Sequence, residues 1–125
     1  MSLPNESSDG EGALNANKLL AKLGGDRELL LEIAELFQRD APAMLDTLRE
    51  RVRGGEPAEI AKAAHVLKGS AANFGVSPLY SLAREIEHHS QDADPVVIAE
   101  LMTRLERAAA EFLTALQRLR TEVQA

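Results

Sequence analysis

The stretch PAEIAKAAHVLKGSAANFG, residues 57–75, carries the signals of one complete amphipathic helix. Proline favours the first turn of a helix and glycine commonly follows its last residue, so Pro57 and Gly75 mark the two ends. Val76 is available for the apolar contact that often accompanies such a glycine cap. At about 100° per residue, five apolar residues fall within one stripe, which is the predicted core face. They are Ile60, Ala64, Leu67, Ala71 and Phe74.

Similar start and stop signals on both sides of this stretch predict four further helices. A short helix over 16–23 ends at a glycine pair, where a left-handed residue can terminate it. A second helix over 26–54 begins at an aspartate N-cap and ends at another glycine pair. Serine-proline opens a helix over 77–90, and aspartate-proline opens a final helix of roughly 30 residues.

Pro42 lies inside the second predicted helix. A proline at this position removes one backbone hydrogen bond and clashes with the carbonyl four residues back, so we expect a kink and not two helices. The apolar stripe continues in phase across the proline. Its predicted buried residues are Leu29, Ile33, Leu36, Phe37, Met44, Leu48 and Val52.

The final helix has a regular apolar stripe, formed by Ile98, Leu101, Leu105, Ala109, Phe112, Leu116, Leu119 and Val123. Amphipathic helices joined by short connections bury such stripes best in an antiparallel arrangement. The sequence therefore predicts an all-α fold, an antiparallel up-down four-helix bundle with a short extra N-terminal helix covering one end. Residues 13–125 form the bundle, and the polar residues 1–12 are expected to be a disordered tail or linker.

Composition narrows the class of protein. A chain of 125 residues fits one domain, and without cysteine it has neither disulfides nor thiolate chemistry. Its formal net charge of -6 argues against nucleic acid and anionic membrane surfaces as partners. The sequence has no membrane-spanning run and no secretory signal, so we expect a cytoplasmic monomer, or the cytoplasmic part of a membrane sensor.

His65 lies on the face opposite the predicted core, where small residues surround it. These neighbours are Ala61, Gly69 and Ala72. Because glycine inside a helix costs about 1 kcal/mol relative to alanine, helix stability does not explain Gly69. One interpretation is that small residues let a neighbouring helix pack tightly. The other is that they leave room around a reactive imidazole.

The second interpretation has a defined chemistry. A neutral imidazole is a nitrogen nucleophile that can take a phosphoryl group, and Lys68 could balance the charge of its oxygens. A hydrogen bond at one ring nitrogen would leave the other free to attack. Glu87, at the edge of the core stripe of the fourth helix, can reach the ring, although such a position is more often a solvated rim. That stripe consists of Leu79, Leu82 and Ile86.

HVLKGSAANFG, together with Ile86 and Glu87, resembles the signature of histidine-containing phosphotransfer (HPt) domains of multistep two-component phosphorelays. The segment LGGDRELLLEIAELFQRDAPAML, residues 23–45, is also similar to the family, so the resemblance covers about 15–90. The family pattern has His, any residue, Leu-Lys-Gly-Ser-Ala, two variable positions, an apolar residue and Gly. It is met at His65, Leu67, Lys68, Gly69, Ser70, Ala71, Phe74 and Gly75.

The resemblance implies a role for each site residue. His65 would be the phosphoacceptor, Lys68 the stabiliser of the phosphoryl group and Gly69 the residue that clears space. Glu87 would orient the imidazole, at a position where many relatives have glutamine. An ionised glutamate accepts a hydrogen bond from a ring N–H and favours a charged imidazole.

The resemblance also implies the partners, which are receiver domains of response regulators or hybrid histidine kinases. These carry the phosphoryl group on an aspartate and supply Mg²⁺. Because no lysine-bearing phosphate loop is present, we expect a phosphocarrier that binds no cofactor and is not an enzyme. The residues expected to contact the receiver are Ala61, Ala64, Ala72 and Arg84.

Two alternative functions make different demands on the sequence. A helical adaptor that binds receivers without accepting phosphate would fit a chain lacking His65, or one with a bulky residue at position 69. A metal site built from the three histidines is disfavoured, because His88 and His89 point about 100° apart on a helix. We expect this pair at the helix C-terminus, where cations are favoured. The chain is either free-standing or an excised module of a hybrid kinase, and its tail-like start favours the module.

Overall fold

The computed structural model describes residues 14–92 and 94–124, which form helices and short connections without any strand. The all-α class is therefore confirmed. The predicted tail at 1–12 lies outside the described residues. The five α-helices are α1 (Ala16–Lys22), α2 (Arg27–Gly54), α3 (Pro57–Ala71), α4 (Pro78–His89) and α5 (Pro95–Gln124), and a 3₁₀ turn (Ala72–Phe74) follows α3.

Local sequence signals set the helix boundaries. Asp26 caps α2 by accepting a hydrogen bond from the backbone N–H of Leu29 at 3.0 Å. Ser77 caps α4 by accepting one from the N–H of Tyr80 at 3.2 Å. The left-handed residue that ends α2 is Gly55, with φ of 73°, a backbone conformation that strains any residue with a Cβ. These boundaries agree closely with the predicted ones.

The end of α3 differs from the prediction. Gly75 has a positive φ of 88° but a ψ of -166°, so the chain leaves in an extended direction instead of turning back. Val76 is consequently exposed, and the predicted cap contact from Val76 is wrong. Phe74 makes the apolar contact at this end of α3 instead. Its ring packs edge-to-face against Phe37 and Phe112 at centroid distances of 5.7 and 5.6 Å.

The second helix continues through Pro42, as expected. The face that it buries is only partly the predicted one, because Leu29 and Leu36 are exposed. The run 29–31 is three consecutive leucines, so several overlapping stripes were possible, and packing selected a rotated one. The buried residues of this helix are Leu30, Ala34, Phe37, Ala41, Leu45 and Leu48.

The four long helices form a closed ring. Helix α2 packs against α3 and α5, and α4 packs against the same two helices from the other side. Connections as short as 55–56 join consecutive helices, which makes neighbours antiparallel. Helix α1 lies against α2 and α5. The predicted up-down bundle with an extra short helix is confirmed, and the stripes predicted for α3, α4 and α5 are all buried.

This packing directs one side of α3 outward. Its core residues Ile60, Ala64 and Leu67 are buried between the neighbouring helices, so the opposite face is presented to solvent. Over the described ranges, none of the helices combines the length and the apolar character needed to cross a lipid bilayer.

Candidate functional site

His65 stands on the outward face of α3. Its side chain is 65% exposed, so the ring is open to an approaching molecule. The residue lies about 100° around the helix from the buried Ala64, which places its ring beyond the edge of the core. The bundle thus supplies a rigid helical support for an accessible imidazole.

Glu87 of α4 holds the imidazole from one side. Its Oε2 lies 3.0 Å from Nδ1 of His65. Because an ionised carboxylate can only accept hydrogen bonds, Nδ1 carries the ring proton and donates a hydrogen bond to Glu87. In this tautomer Nε2 has the free lone pair and is the nitrogen available for reaction.

Lys68 contacts the same carboxylate. Its Nζ lies 2.8 Å from Oε1 of Glu87, so the two groups form an ion pair at hydrogen-bond distance. Partial burial raises the pKa of the Glu87 carboxyl, but the contacts with Lys68 and then His65 outweigh this effect. The pKa of Glu87 consequently lies below its ordinary value of 4.5, and the group is a carboxylate at neutral pH.

Gly69 leaves open space next to His65. An added Cβ at this position would meet no heavy atom within 4 Å, and the backbone of Gly69 does not have a positive φ. Neither a neighbouring helix nor the backbone conformation requires a glycine here. The tight-packing interpretation is therefore contradicted for this residue.

The residues expected to contact a partner fall into two groups. Ala72 and Arg84 are exposed and Ala61 is half-buried, so partner atoms can reach them. Ala64 is fully buried in the core, and its assignment to a partner surface is wrong. The reason is its membership of the core stripe of α3, which faces away from His65.

An apolar strip between α2 and α3 borders the site on the side away from Glu87. Its two shallow clefts, of about 180 and 190 Å³, share Met44 in their lining. The helical periodicity of α2 did not predict this surface, because it assigned the apolar residues of α2 to the core. The available signal was that α2 has more apolar residues than one core face can bury. We define the α2–α3 strip as Ile33, Leu36, Met44, Ala63 and Val66.

A charged cleft lies on the opposite side of His65. It has a volume of about 420 Å³ and is lined by Lys68, Arg84, Glu87, His88, Gln91 and Asp92. His88 and His89 occupy the last turn of α4, as expected. In the part of the chain that the structure describes, no three His, Cys, Asp or Glu side chains are grouped to hold a metal ion.

A family model for the Hpt domain matches residues 32–123, a span that includes His65, Lys68, Gly69 and Glu87. The match covers most of the chain, which therefore belongs to the Hpt domain family. Members of this family carry out histidine phosphotransfer in two-component signalling, interact with receiver domains and are phosphocarriers, not enzymes. Comparisons with curated proteins and with solved structures each gave no significant match.

Proposed function

We propose that this chain is a phosphorelay intermediate in which His65 accepts a phosphoryl group from one receiver aspartate and passes it to another. The observation that supports this proposal best is the hydrogen bond of 3.0 Å between Nδ1 of His65 and Glu87. It occupies one ring nitrogen and leaves Nε2, on a largely exposed ring, as the nucleophile.

The accepting step balances without a further proton acceptor. The Nε2 lone pair attacks phosphorus, and the bond from phosphorus to the aspartyl oxygen breaks with its electron pair remaining on the aspartate carboxylate. The ring becomes positively charged as the N–P bond forms. Nδ1 keeps its proton, and the nearby negative charge of Glu87 stabilises the charged ring. Donation to a second aspartate is the reverse step.

Lys68 and Gly69 assist this transfer in different ways. The Lys68 ammonium provides a positive charge for the phosphoryl oxygens, whereas Gly69 gives the incoming donor access to the ring. We assign no metal ligand to this chain, and the Mg²⁺ for the reaction is carried by the receiver. The residues of this chain bind the receiver, orient the imidazole and balance the charge of the phosphoryl oxygens. The phosphoryl group itself comes from the partner.

The receiver docks across α3 in this proposal. Gly69 lies about 40° around the helix from His65, on the side of Val66, so the open surface leads from the imidazole to the α2–α3 strip. This strip supplies apolar contact area, while Ala61 and Ala72 lie near His65 on α3 and Arg84 lines the charged cleft. Such a surface suits a transient complex, which a relay protein needs in order to release each partner. The protein acts as a cytoplasmic monomer.

A single substitution tests the acceptor. Purified wild-type chain and its H65Q variant are incubated with a receiver domain carrying radiolabelled aspartyl phosphate. The wild type is expected to take acid-labile, base-stable label, and H65Q is expected to take none while keeping its helical circular dichroism. H88Q is the matched control, since it removes a nearby exposed histidine and should still be labelled.

Label retained in H65Q would overturn the assignment of the acceptor. A wild-type chain that binds the phosphorylated receiver but never takes label would instead establish the non-reactive adaptor.

A further inference from the structure

We infer that Glu87 competes with the phosphoryl group for Lys68. The Lys68 ammonium forms an ion pair with Glu87 while His65 is unmodified, and it must leave this ion pair to reach the phosphoryl oxygens. This inference rests on the proposed function and concerns how long the phosphohistidine lives. Its consequence is that Glu87 makes the phosphohistidine a short-lived and effective donor.

The carboxylate of Glu87 contacts both the imidazole of His65 and the ammonium of Lys68. Oε2 of Glu87 accepts from Nδ1 of His65 at 3.0 Å, and Oε1 is 2.8 Å from Nζ of Lys68. The side chains of Glu87 and Lys68 are only 28% and 22% exposed, so water screens their attraction less than it screens a surface pair. Lys68 is therefore held on Glu87 in the unmodified protein.

Removing Lys68 from Glu87 has a specific penalty. Oε1 is inaccessible to solvent in the unmodified protein, and it is paired with the Lys68 ammonium. If the ammonium departs, this oxygen loses its positively charged neighbour, and leaving a carboxylate oxygen without that partner is costly. The phosphoryl group must therefore compete for Lys68 against an oxygen that has no other partner.

The phosphoryl group forms on the other side of the ring. Nε2 points away from Glu87, because Nδ1 is the nitrogen bound to the carboxylate. Lys68 has to move outward from Oε1 to contact phosphoryl oxygens on Nε2. The charged cleft that Lys68 shares with Arg84 and His88 provides the open space for this movement.

Both effects of Glu87 act in the same direction. By holding Lys68 it withholds positive charge from the phosphoryl oxygens, and its own charge favours a protonated phosphoimidazole, which is the better leaving group. A glutamine at this position can still accept the ring N–H but attracts the ammonium less. We therefore expect E87Q to lengthen the half-life of the phosphohistidine by roughly threefold to tenfold, as for a partly screened charge pair.

The experiment is a double-mutant cycle on phosphohistidine half-life. Wild type, E87Q, K68M and E87Q/K68M are labelled from a phosphorylated receiver, separated from it, and followed for loss of label. E87Q is expected to lengthen the half-life, and its effect should shrink in the K68M background because no ammonium remains to be released. E85Q is the control for charge, since Glu85 lies on another side of α4, and its half-life should match the wild type.

Two results of this cycle would overturn the inference. One is an unchanged or shorter half-life in E87Q. The other is an equal E87Q effect with and without Lys68, which would mean that Glu87 acts through the ring alone. Failure of the wild type to take any label is distinguishable, since it rejects the proposed function itself.

A spectroscopic readout keeps the inference testable if the variants label poorly. The side-chain ammonium signal of Lys68 is recorded by heteronuclear NMR in the wild-type chain before and after phosphorylation. The ion-pair exchange predicts that this signal shifts on phosphorylation, whereas the signal of Lys18, on α1, stays in place. An unmoved Lys68 signal would contradict the exchange.

Discussion

Replacing Gly69 with alanine is predicted to stabilise the protein while slowing phosphotransfer. Alanine is favoured over glycine by about 1 kcal/mol inside a helix. The new Cβ at position 69 would meet nothing within 4 Å, so no clash opposes this gain. For a domain of 125 residues, the change corresponds to a rise in melting temperature of about 3–5 °C.

The same methyl group faces the approaching partner. It would stand on the open surface between His65 and Val66, where the receiver has to come close to the α3 backbone. A small displacement of the reacting groups costs a large factor in rate, so labelling by a phosphorylated receiver should slow by on the order of tenfold or more. Urea unfolding followed by circular dichroism measures the stability, and a labelling time course measures the transfer.

The matched control is G54A, at the last position of α2. An added Cβ at Gly54 also meets nothing within 4 Å, so this variant should retain or gain stability without any change in labelling. A G69A variant less stable than the wild type would show that the fold itself needs Gly69. A more stable variant with an unchanged labelling rate would refute the role of Gly69 in partner access.

Four further predictions concern docking, the fold and the response to pH. V66D should weaken receiver binding in a titration by about tenfold, because one apolar contact at the interface is lost. V96D, at the exposed start of α5, should leave binding unchanged. Equal weakening by both variants contradicts docking on the α2–α3 strip. G55A should lower the free energy of unfolding by about 1 kcal/mol, because Gly55 has a φ of 73°, and an unchanged value in urea unfolding would disprove the strain. F112A should lower the free energy of unfolding by about 3–5 kcal/mol, since Phe112 is buried among aromatic rings. A loss below about 1 kcal/mol in urea unfolding is incompatible with that packing. Because the folded-state pKa of Glu87 is depressed below 4.5, its stabilising contribution is present above about pH 4.5 and is lost as the pH falls through the lowered value. The difference in unfolding free energy between wild type and E87Q should therefore shrink from pH 6 to pH 3, and a constant difference argues against the carboxylate contacts.

The sequence contained enough information to predict the helices and the bundle. Prolines and polar caps mark the helix starts, and the stripes of α3 and α5 recur at intervals of three and four residues, which permit one buried face. The second helix was harder, because Leu29 and Leu36 fit a stripe that competes with the one actually buried. Periodicity does not choose between overlapping stripes, whereas packing against α3 and α5 does.

The residues of the site and the contact between Glu87 and the imidazole were predictable, but the ion pair of Lys68 was not. His65, Lys68 and Gly69 are close in sequence and share the outer part of α3, so helical geometry alone places them together. The ion pair between Lys68 and Glu87 depends on how closely α3 and α4 approach, a distance that no local pattern contains. The same limitation applies to the α2–α3 strip, which exists only because α2 is rotated relative to its predicted face.

The most direct test of the account is to locate the phosphoryl group on the ring. The chain is labelled with ¹⁵N-histidine, phosphorylated by a receiver domain and examined by nitrogen NMR. We predict that only His65 changes, with coupling to phosphorus at Nε2 and the proton retained at Nδ1. Phosphorus on Nδ1, or on His88 or His89, would contradict the account.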